Sequence, residues 1–427
     1  MSFPPDHPLR VELNDEVHAR PPEALVAPAR LSYLALFSDS SRRETQWGQV
    51  RDLAERFGAA PPKPGANHYS ADLGPFRLKW ERHTEFARYK FIVRGAVEDP
   101  FAEPGIAAVP AEWVAALPGE VMVATHAAVL PGGEPIDPEA VAARFFAGHS
   151  LIGATVAGGL ATALTDFRIH GDGFGRLLVL DRGLTPRQAG RTVQRLVEID
   201  TYRMLALLAL PVAQQLAPVL TRYERDLAAI TTALTDAREA DEPALLDRLT
   251  RLEAAIDSGE ADSHYRFSAA SAYHELVLRR IEDLREERFP GQQTFGEFTG
   301  RRLAPAMNTC RATAARQGSL SERVARATQL LSTRVDLDRS RQNQAVLEQM
   351  NRRAKLQLRL QQTVEGLSVA AITYYIVGLT GYAAKGLNAL GVRLNPDLAM
   401  GASIPIVLAV TALGVRRVRR MVVRPPA

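Results

Sequence analysis

The 427-residue sequence predicts a mixed α+β protein that ends in a transmembrane helical hairpin. Three observations carry that reading. Strand-like and helix-like patterns alternate up to Arg182, the chain turns helical at Thr185, and two long apolar stretches close it. The expected organisation is a mixed α/β domain over 1–184, a helical domain ending in a long stalk helix over 185–363, and a hairpin with a basic tail over 364–427.

In the first of these, residues 30–37 (RLSYLALF) are dense in large apolar side chains over the length of a strand. A helix is expected over 41–57, with Trp47, Val50, Leu53 and Phe57 on one face. Residues 76–80 and 86–93 read as strands flanking the polar link 81–85. A further strand over 120–130 is stopped by Pro131, Gly132 and Gly133, and 138–147 reads as a helix. Residues 160–170 and 176–181 form a predicted hairpin around HGDGFG. These patterns do not set a strand order.

At Thr185 the signals change. Thr185, Pro186 and Gln188 supply an N-cap, a first-position proline and a capping-box partner. The helix they open is expected to reach Leu210 and to break or kink at Pro211. Helices over 212–236, 244–256 and 269–288 follow, closed by Pro290 and Gly291. No Gly or Pro lies between Ser321 and Glu365, a run of about 45 residues and about 67 Å if it is one helix. Leu331, Val335, Val346, Met350, Leu356 and Leu360 recur along it at loosely helical spacing. Its charged middle, VDLDRSRQNQ, marks weak burial and a place for a break.

The apolar stretches are residues 364–384 and 398–415. At about 1.5 Å per residue the first covers about 31 Å, a hydrocarbon thickness, and the second sits near the lower limit for a span. Leu367, Tyr374, Tyr375, Ile376, Leu379, Ile404 and Leu408 are the expected lipid-facing or span positions. Arg352, Arg353, Lys355 and Arg359 precede the first span, and Arg416, Arg417, Arg419, Arg420 and Arg424 follow the second. The linking loop offers only Lys385 and Arg393, partly offset by Asp397. Basic flanks stay on the cytoplasmic side, so both termini are expected there and the loop outside.

The charge balance agrees. Residues from Asn351 onward hold 11 of the 52 basic groups and 2 of the 48 acidic ones, which leaves the first 350 residues net negative. The pI of about 9.3 therefore belongs to the membrane flanks, and nucleic acid is not an expected partner. The single cysteine, Cys310, fits a reducing compartment, and the opening MSFPPDHPLR lacks a signal-peptide pattern.

Motifs with chemical content are few. The glycines of HGDGFGR precede a strand pattern instead of a helix, so a hairpin turn is expected in place of a phosphate loop. His274 and Glu275 start a zinc-protease pattern that Leu278 breaks. His264 and His274 stand ten apart, and Cys310 has no Cys or His near it in sequence. The cluster in LNDEVHARP, with Asn14, Asp15, Glu16, His18 and Arg20, reads as a capped helix. His83 with Glu85, and Asp166, Arg168 and the His170–Asp172 run, read as polar groups on strand faces. No catalytic residue and no cofactor is expected, and the protein reads as non-enzymatic. Glu365, at the cytoplasmic end of the first span, is the candidate metal residue, because a ring of such carboxylates in a homo-oligomer would attract a divalent cation. Gly366 with Ala370, and Gly401 with Ala409, offer small surfaces for helix contact.

Three segments, LNDEVHARP (13–21), FGRLLVLDRGLTPRQAGRTVQRLVEIDTYRMLAL (174–207) and LQQTVEGLSVAAITYYIVGLTGYAAKGL (360–387), resemble a bacterial family of membrane-anchored proteins known only as a domain of unknown function. The resemblance covers nearly the whole chain and implies an inner-membrane location, with no activity to carry over. The architecture is more distantly similar to the CorA-type magnesium transporters. Those carry Gly-Met-Asn at the outer end of their first span, where this chain reads Gly381, Tyr382, Ala383. The likeness therefore implies a related scaffold without the family's filter, with a CorA-like divalent-cation transporter or channel as the alternative to a non-enzymatic anchored protein and a membrane-tethered enzyme as a further one.

Overall fold

The computed structural model describes residues 6–18, 21–133, 136–392 and 395–422. In order, the elements are α1 (Arg10–His18), β1 (Ala29–Phe37), α2 (Arg43–Arg56), β2 (His68–Asp72), β3 (Arg77–Arg82), β4 (Phe86–Arg94), α3 (Ala111–Ala115), β5 (Glu120–Pro131) and α4 (Pro138–Phe145). There follow β6 (Ile152–Val156), β7 (Ala161–Thr165), β8 (Gly175–Asp181), α5 (Pro186–Leu207), α6 (Ala209–Asp236), α7 (Glu242–Leu284), β9 (Glu287–Arg288), α8 (Phe295–Ala389) and α9 (Pro396–Val422).

The nine strands form one sheet in the order β2-β3-β4-β1-β5-β8-β7-β6-β9. All neighbours are antiparallel except β5 and β8, which run parallel from Thr125 opposite Gly175 to Pro131 opposite Asp181. That pair requires a crossover, and the β6–β7 hairpin with α4 fills it. Both faces of the central strands are covered, which is why β1 reads as an almost continuous apolar run. Its alternate residues part accordingly. Leu31, Tyr33 and Ala35 enter the core beneath the long helices, and Leu34 and Leu36 enter the core with Val50, Leu53, Trp80 and Phe91 on the other side.

The expected mixed α+β class holds, and so do the strands around 30–37, 86–93, 120–130 and the 160–181 hairpin. Strands β2, β6 and β9 lie where no strand was expected. Helix α7 is one helix where two were expected, and α8 runs without a break through VDLDRSRQNQ. An α-helix needs no buried face at every turn once its ends are held, so a polar run marks exposure and not termination. The break expected at Pro211 falls earlier, at Leu208, with Pro218 inside α6.

Contacts divide the chain into two compact units. The first comprises Met1–Asp236 and Asp247–Thr328, so α5, α6, most of α7 and the start of α8 share a core with the sheet. The line expected between 184 and 185 therefore falls inside that unit. Its helices close on the strands because α5 lays Ala189, Val193, Leu196 and Leu205 against them. The second unit comprises Ala237–Leu246 and Gln329–Ala427. Within it, Leu331 and Val335 are buried, Arg334 Nε pairs with Glu242 Oε1 at 3.0 Å, and residues 341–364 are exposed on every side. Helices α8 and α9 meet through Thr373 and Thr411, whose hydroxyl oxygens are 3.1 Å apart.

Candidate functional site

Three residues from separate segments of the first unit bring ligand-type atoms together. His149 follows α4 after a turn in which Ala147 and Gly148 both adopt positive φ, 52° and 73°. Asp166 leaves the end of β7, and His170 opens the turn into β8. Asp166 Oδ2 lies 2.8 Å from His149 Nδ1 and 3.0 Å from His170 Nε2. The donor atoms of all three lie within 4.8 Å of one another. Asp166 Oδ1 accepts the backbone N–H of Arg168 at 3.2 Å, which fixes the carboxylate plane. Phe167, with φ 50°, is clamped by a stacked Phe298 ring 4.9 Å away and so holds Asp166 in place. A cleft of about 790 Å³ opens beside His149 and Asp166, with Arg168, Gln292, Gln293 and Arg302 in its walls.

Asp166 and His170, strand-face groups by sequence, stand here at the ends of β7 and of the turn into β8, and His149 carries no sequence signal of its own. Two of the three stand four apart, which is visible in the sequence, but His149 arrives through a non-glycine left-handed turn that no periodicity announces. Elsewhere α7 and α8 bring His264, His274 and Cys310 to the wall of one cavity of about 370 Å³. Cys310, with no Cys or His near it in sequence, thus shares a cavity wall with two histidines. Burial and the nearby Arg311 lower the pKa of His274, and burial raises that of Cys310. These residues do not converge as a ligand group. Among the described residues only His149, Asp166 and His170 do.

A second polar feature is a line of charges between the sheet and α5 and α7, buried except at Arg280, which is 26 % exposed. Arg88 on β4 pairs with Glu81 opposite it on β3, and its Nη1 donates to Glu198 Oε1 at 2.8 Å. Glu198 also accepts from Arg280 Nε at 2.5 Å, and Lys79 Nζ lies 3.3 Å from Glu81 Oε1. Burial raises the Glu81 pKa, but Arg88, Lys90 and Lys79 outweigh it and hold the carboxyl at about 2. Lys90, 4.0 Å from Glu81 Oε2, is pushed down to about 7 by burial and then by Arg88. Arg280 is also met by Asp283 at 3.2 Å, and among the buried groups Lys79, Arg88 and Lys90 face Glu81 and Glu198, so a neutral Lys90 removes the one surplus cation.

Ser32, His126 and Asp172 have the residue types of a hydrolase triad and fail its geometry. Ser32 Oγ lies 2.9 Å from His126 Nδ1, but Ser32 is fully buried and accepts the Ile106 backbone N–H at 2.9 Å. His126 Nε2 is 3.8 Å from Asp172, beyond a hydrogen bond, and the ring stacks on Phe174. Burial lowers the His126 pKa to about 4, with Asp172 opposing. The group is a neutral structural contact.

The predicted span residues fall on α8 and α9. Leu367, Tyr374, Tyr375, Ile376, Leu379, Ile404 and Leu408 are all exposed, Tyr374 by 78 %. Glu365 stands half-buried on α8, with no second ligand-type side chain grouped around it among the described residues. Gly366 and Gly401, expected as contact surfaces, have open space beside them within the chain. Gly381 makes the close approach instead, against Met400. Arg352, Arg353, Lys355, Arg416 and Arg417 are exposed on helix. The side chains of His18, Arg419 and Arg420, and all of Arg20, Arg393 and Arg424, lie outside the described residues. Among the described residues, three helical stretches are long and apolar enough to cross a membrane: Pro186–Asp236, Phe295–Ala389 and Pro396–Val418. None of the most apolar window of the last is buried inside the protein, whereas Pro186–Asp236 supplies Ala189, Val193, Leu196 and the ion-paired Glu198 to the sheet's core.

A sequence profile described as a protein of unknown function, DUF3422, matches residues 5–422. The chain belongs to the DUF3422 family. The match runs from α1 through α9, so the DUF3422 unit includes both the sheet with its polar sites and the terminal apolar helices. No curated protein matches the chain.

Proposed function

We propose that this DUF3422 protein is an integral protein of the bacterial inner membrane, non-enzymatic, with its sheet-bearing unit in the cytoplasm and the α8–α9 hairpin in lipid. One observation carries the reading. The large apolar side chains of both terminal helices point outward, and each would gain about 1.5–3 kcal/mol from leaving water. Seven such side chains are enough to make an aqueous hairpin untenable, while a bilayer satisfies them at no cost to the backbone, which is bonded within the helices. The stretch Pro186–Asp236 is not read as a span, because its apolar face is already spent on the sheet. Exposed Arg352, Arg353, Lys355, Arg416 and Arg417 beside the hairpin support cytoplasmic ends and a contact with anionic headgroups.

The protein is further read as a homo-oligomer. Residues 341–364 form a helix with Val346, Leu347, Met350, Leu356 and Leu360 all exposed, and an unaccompanied helix of that kind gains nothing from its apolar positions. Copies of the same helix supply the partner. A ring of Glu365 side chains would then gather divalent cations at the membrane face, but Gly381 serves helix contact, so transport of the CorA kind is the weaker reading.

Washing membranes of disrupted cells at alkaline pH tests this. The chain should stay in the pellet and be released by detergent, with a sedimentation mass a multiple of 46.7 kDa. Recovery in the alkaline wash would remove the membrane reading, and a monomer mass would remove the oligomer.

A further inference from the structure

We propose that His149, Asp166 and His170 form a binding site for a divalent first-row transition-metal ion of the zinc class, with its remaining coordination facing the neighbouring cleft. The inference is independent of whether α8 and α9 enter lipid.

Three features point to a cation. First, the donor set is two imidazole nitrogens and one carboxylate, which suits zinc and its neighbours and does not suit magnesium or calcium, whose preferred ligands are all oxygen. Second, the spacing is within reach of coordination. An ion about 2.0–2.1 Å from each donor requires donors about 3.3 Å apart. Two separations are 2.8 and 3.0 Å, and the third lies within 4.8 Å. Small rotations of His149, whose side chain is 34 % exposed, bring the three to a common centre.

The third feature separates a metal site from an ordinary histidine–aspartate contact. His170 is 95 % buried by its side chain, and its Nε2 lies 3.0 Å from Asp166 Oδ2, yet the pair has no hydrogen-bond geometry and Nε2 has no other hydrogen-bond partner. A buried ring nitrogen left in that condition is destabilising, because it has lost water and gained no partner. Asp166 Oδ2 already shares a hydrogen bond of 2.8 Å with His149 Nδ1, and a cation in the place of that proton would give His170 Nε2 a partner as well. Asp166 is fully buried, held by the Arg168 N–H and by its place after β7, so the site is preformed on its least mobile member. Three protein ligands beside a cleft match zinc centres that leave one position for water or a small ligand. Arg168 and Arg302 in the cleft walls bring positive charge near the site, and an anionic co-ligand on the metal would be favoured by them.

The test uses the full-length, detergent-solubilised protein stripped with a chelator and titrated with Co²⁺ and Zn²⁺ separately. One equivalent of Co²⁺ should bind and produce the visible absorption of a four- or five-coordinate ion, Zn²⁺ should displace it, and excess Mg²⁺ should not. His149→Gln, at a partly exposed loop position, should weaken binding by at least about 100-fold, the upper end of the effect of losing even a supporting group. Zn²⁺ should also raise the melting temperature of the unaltered protein in a concentration-dependent way, a readout that needs no variant. The proposal is overturned if the unaltered protein binds no Co²⁺ above the level of His149→Gln/His170→Gln, if Mg²⁺ displaces the metal, or if the spectrum is that of the fully hydrated ion.

Discussion

Lys90 shows how one side chain sets a pH dependence. Its folded-state pKa of about 7 lies below the 10.5 of an ordinary lysine, because burial and Arg88 outweigh Glu81. Between those values the unfolded chain binds a proton that the folded chain does not. Stability therefore rises with pH across that window, by up to about 1.4 kcal/mol per pH unit, and the penalty is fully present below pH 7. Burial also raises the pKa of Tyr33, Tyr89 and Tyr273, which turns the trend downward only above about pH 10. We predict that melting temperature climbs from pH 7 to 9.5 and that Lys90→Met flattens the climb while leaving stability at pH 7 equal or higher, since it removes a surplus cation. An unchanged slope in the variant would refute the assignment. The alternation of Lys79 with Glu81, and of Arg88 with Lys90, put these residues on common strand faces in the sequence itself. What the sequence withheld was that the face is buried, because the covering partner Glu198 lies 110 residues from Arg88. The same separation problem hid the histidine site: Asp166 and His170 are local to each other, and His149 is brought in by a turn.

Single elements were most legible where a local signal fixed them. Thr185 accepts the Gln188 backbone N–H and Gln188 reaches back to the Thr185 N–H, so the capping box read from four residues is the one that starts α5. Strands such as β2, with its HYSAD sequence and partly exposed face, lack alternation and owe their pairing to Trp80 and Leu78 on β3. Helix α5 also contains a case in which tertiary contact overrides propensity. Gly190 sits mid-helix, where alanine is intrinsically better by about 1 kcal/mol. A methyl there would overlap the Glu23 carbonyl oxygen of the strap that crosses the helix, a strap pinned by the Leu25 N–H on the Pro186 carbonyl at 2.9 Å. Backbone cannot yield as a side-chain tip can, and overpacking of this kind costs about 1–3 kcal/mol. Gly190→Ala should therefore lower stability in a denaturant or thermal melt in spite of its better helix propensity. A gain in stability would show that the strap moves freely.

For the whole molecule, the membrane reading was the most accessible part of the sequence because it needs no long-range contact: about 20 consecutive apolar residues and the charges beside them suffice. The structure adds that α8 and α9 are a contacting pair, joined at Thr373–Thr411 and at Gly381–Met400, with the turn between Ala389 and Pro396. If both helices cross the bilayer, that turn and the residues before α8 becomes apolar lie on opposite sides of it, the latter in the cytoplasm. Cys310 is the protein's one cysteine and is buried, so Cys310→Ala gives a background for placing single reporters. In intact cells whose outer membrane is made permeable, an impermeant maleimide should label Asn388→Cys and leave Gln344→Cys unlabelled until the inner membrane is broken. Position 344 lies on the exposed helix ahead of the basic residues Arg352, Arg353 and Lys355, and its labelling once the inner membrane is broken separates shielding by the compartment from shielding by a neighbouring helix. Labelling of Gln344→Cys in intact cells would invert the topology, and protection of both positions would place the turn on the cytoplasmic side, with the hairpin lying against the bilayer instead of across it.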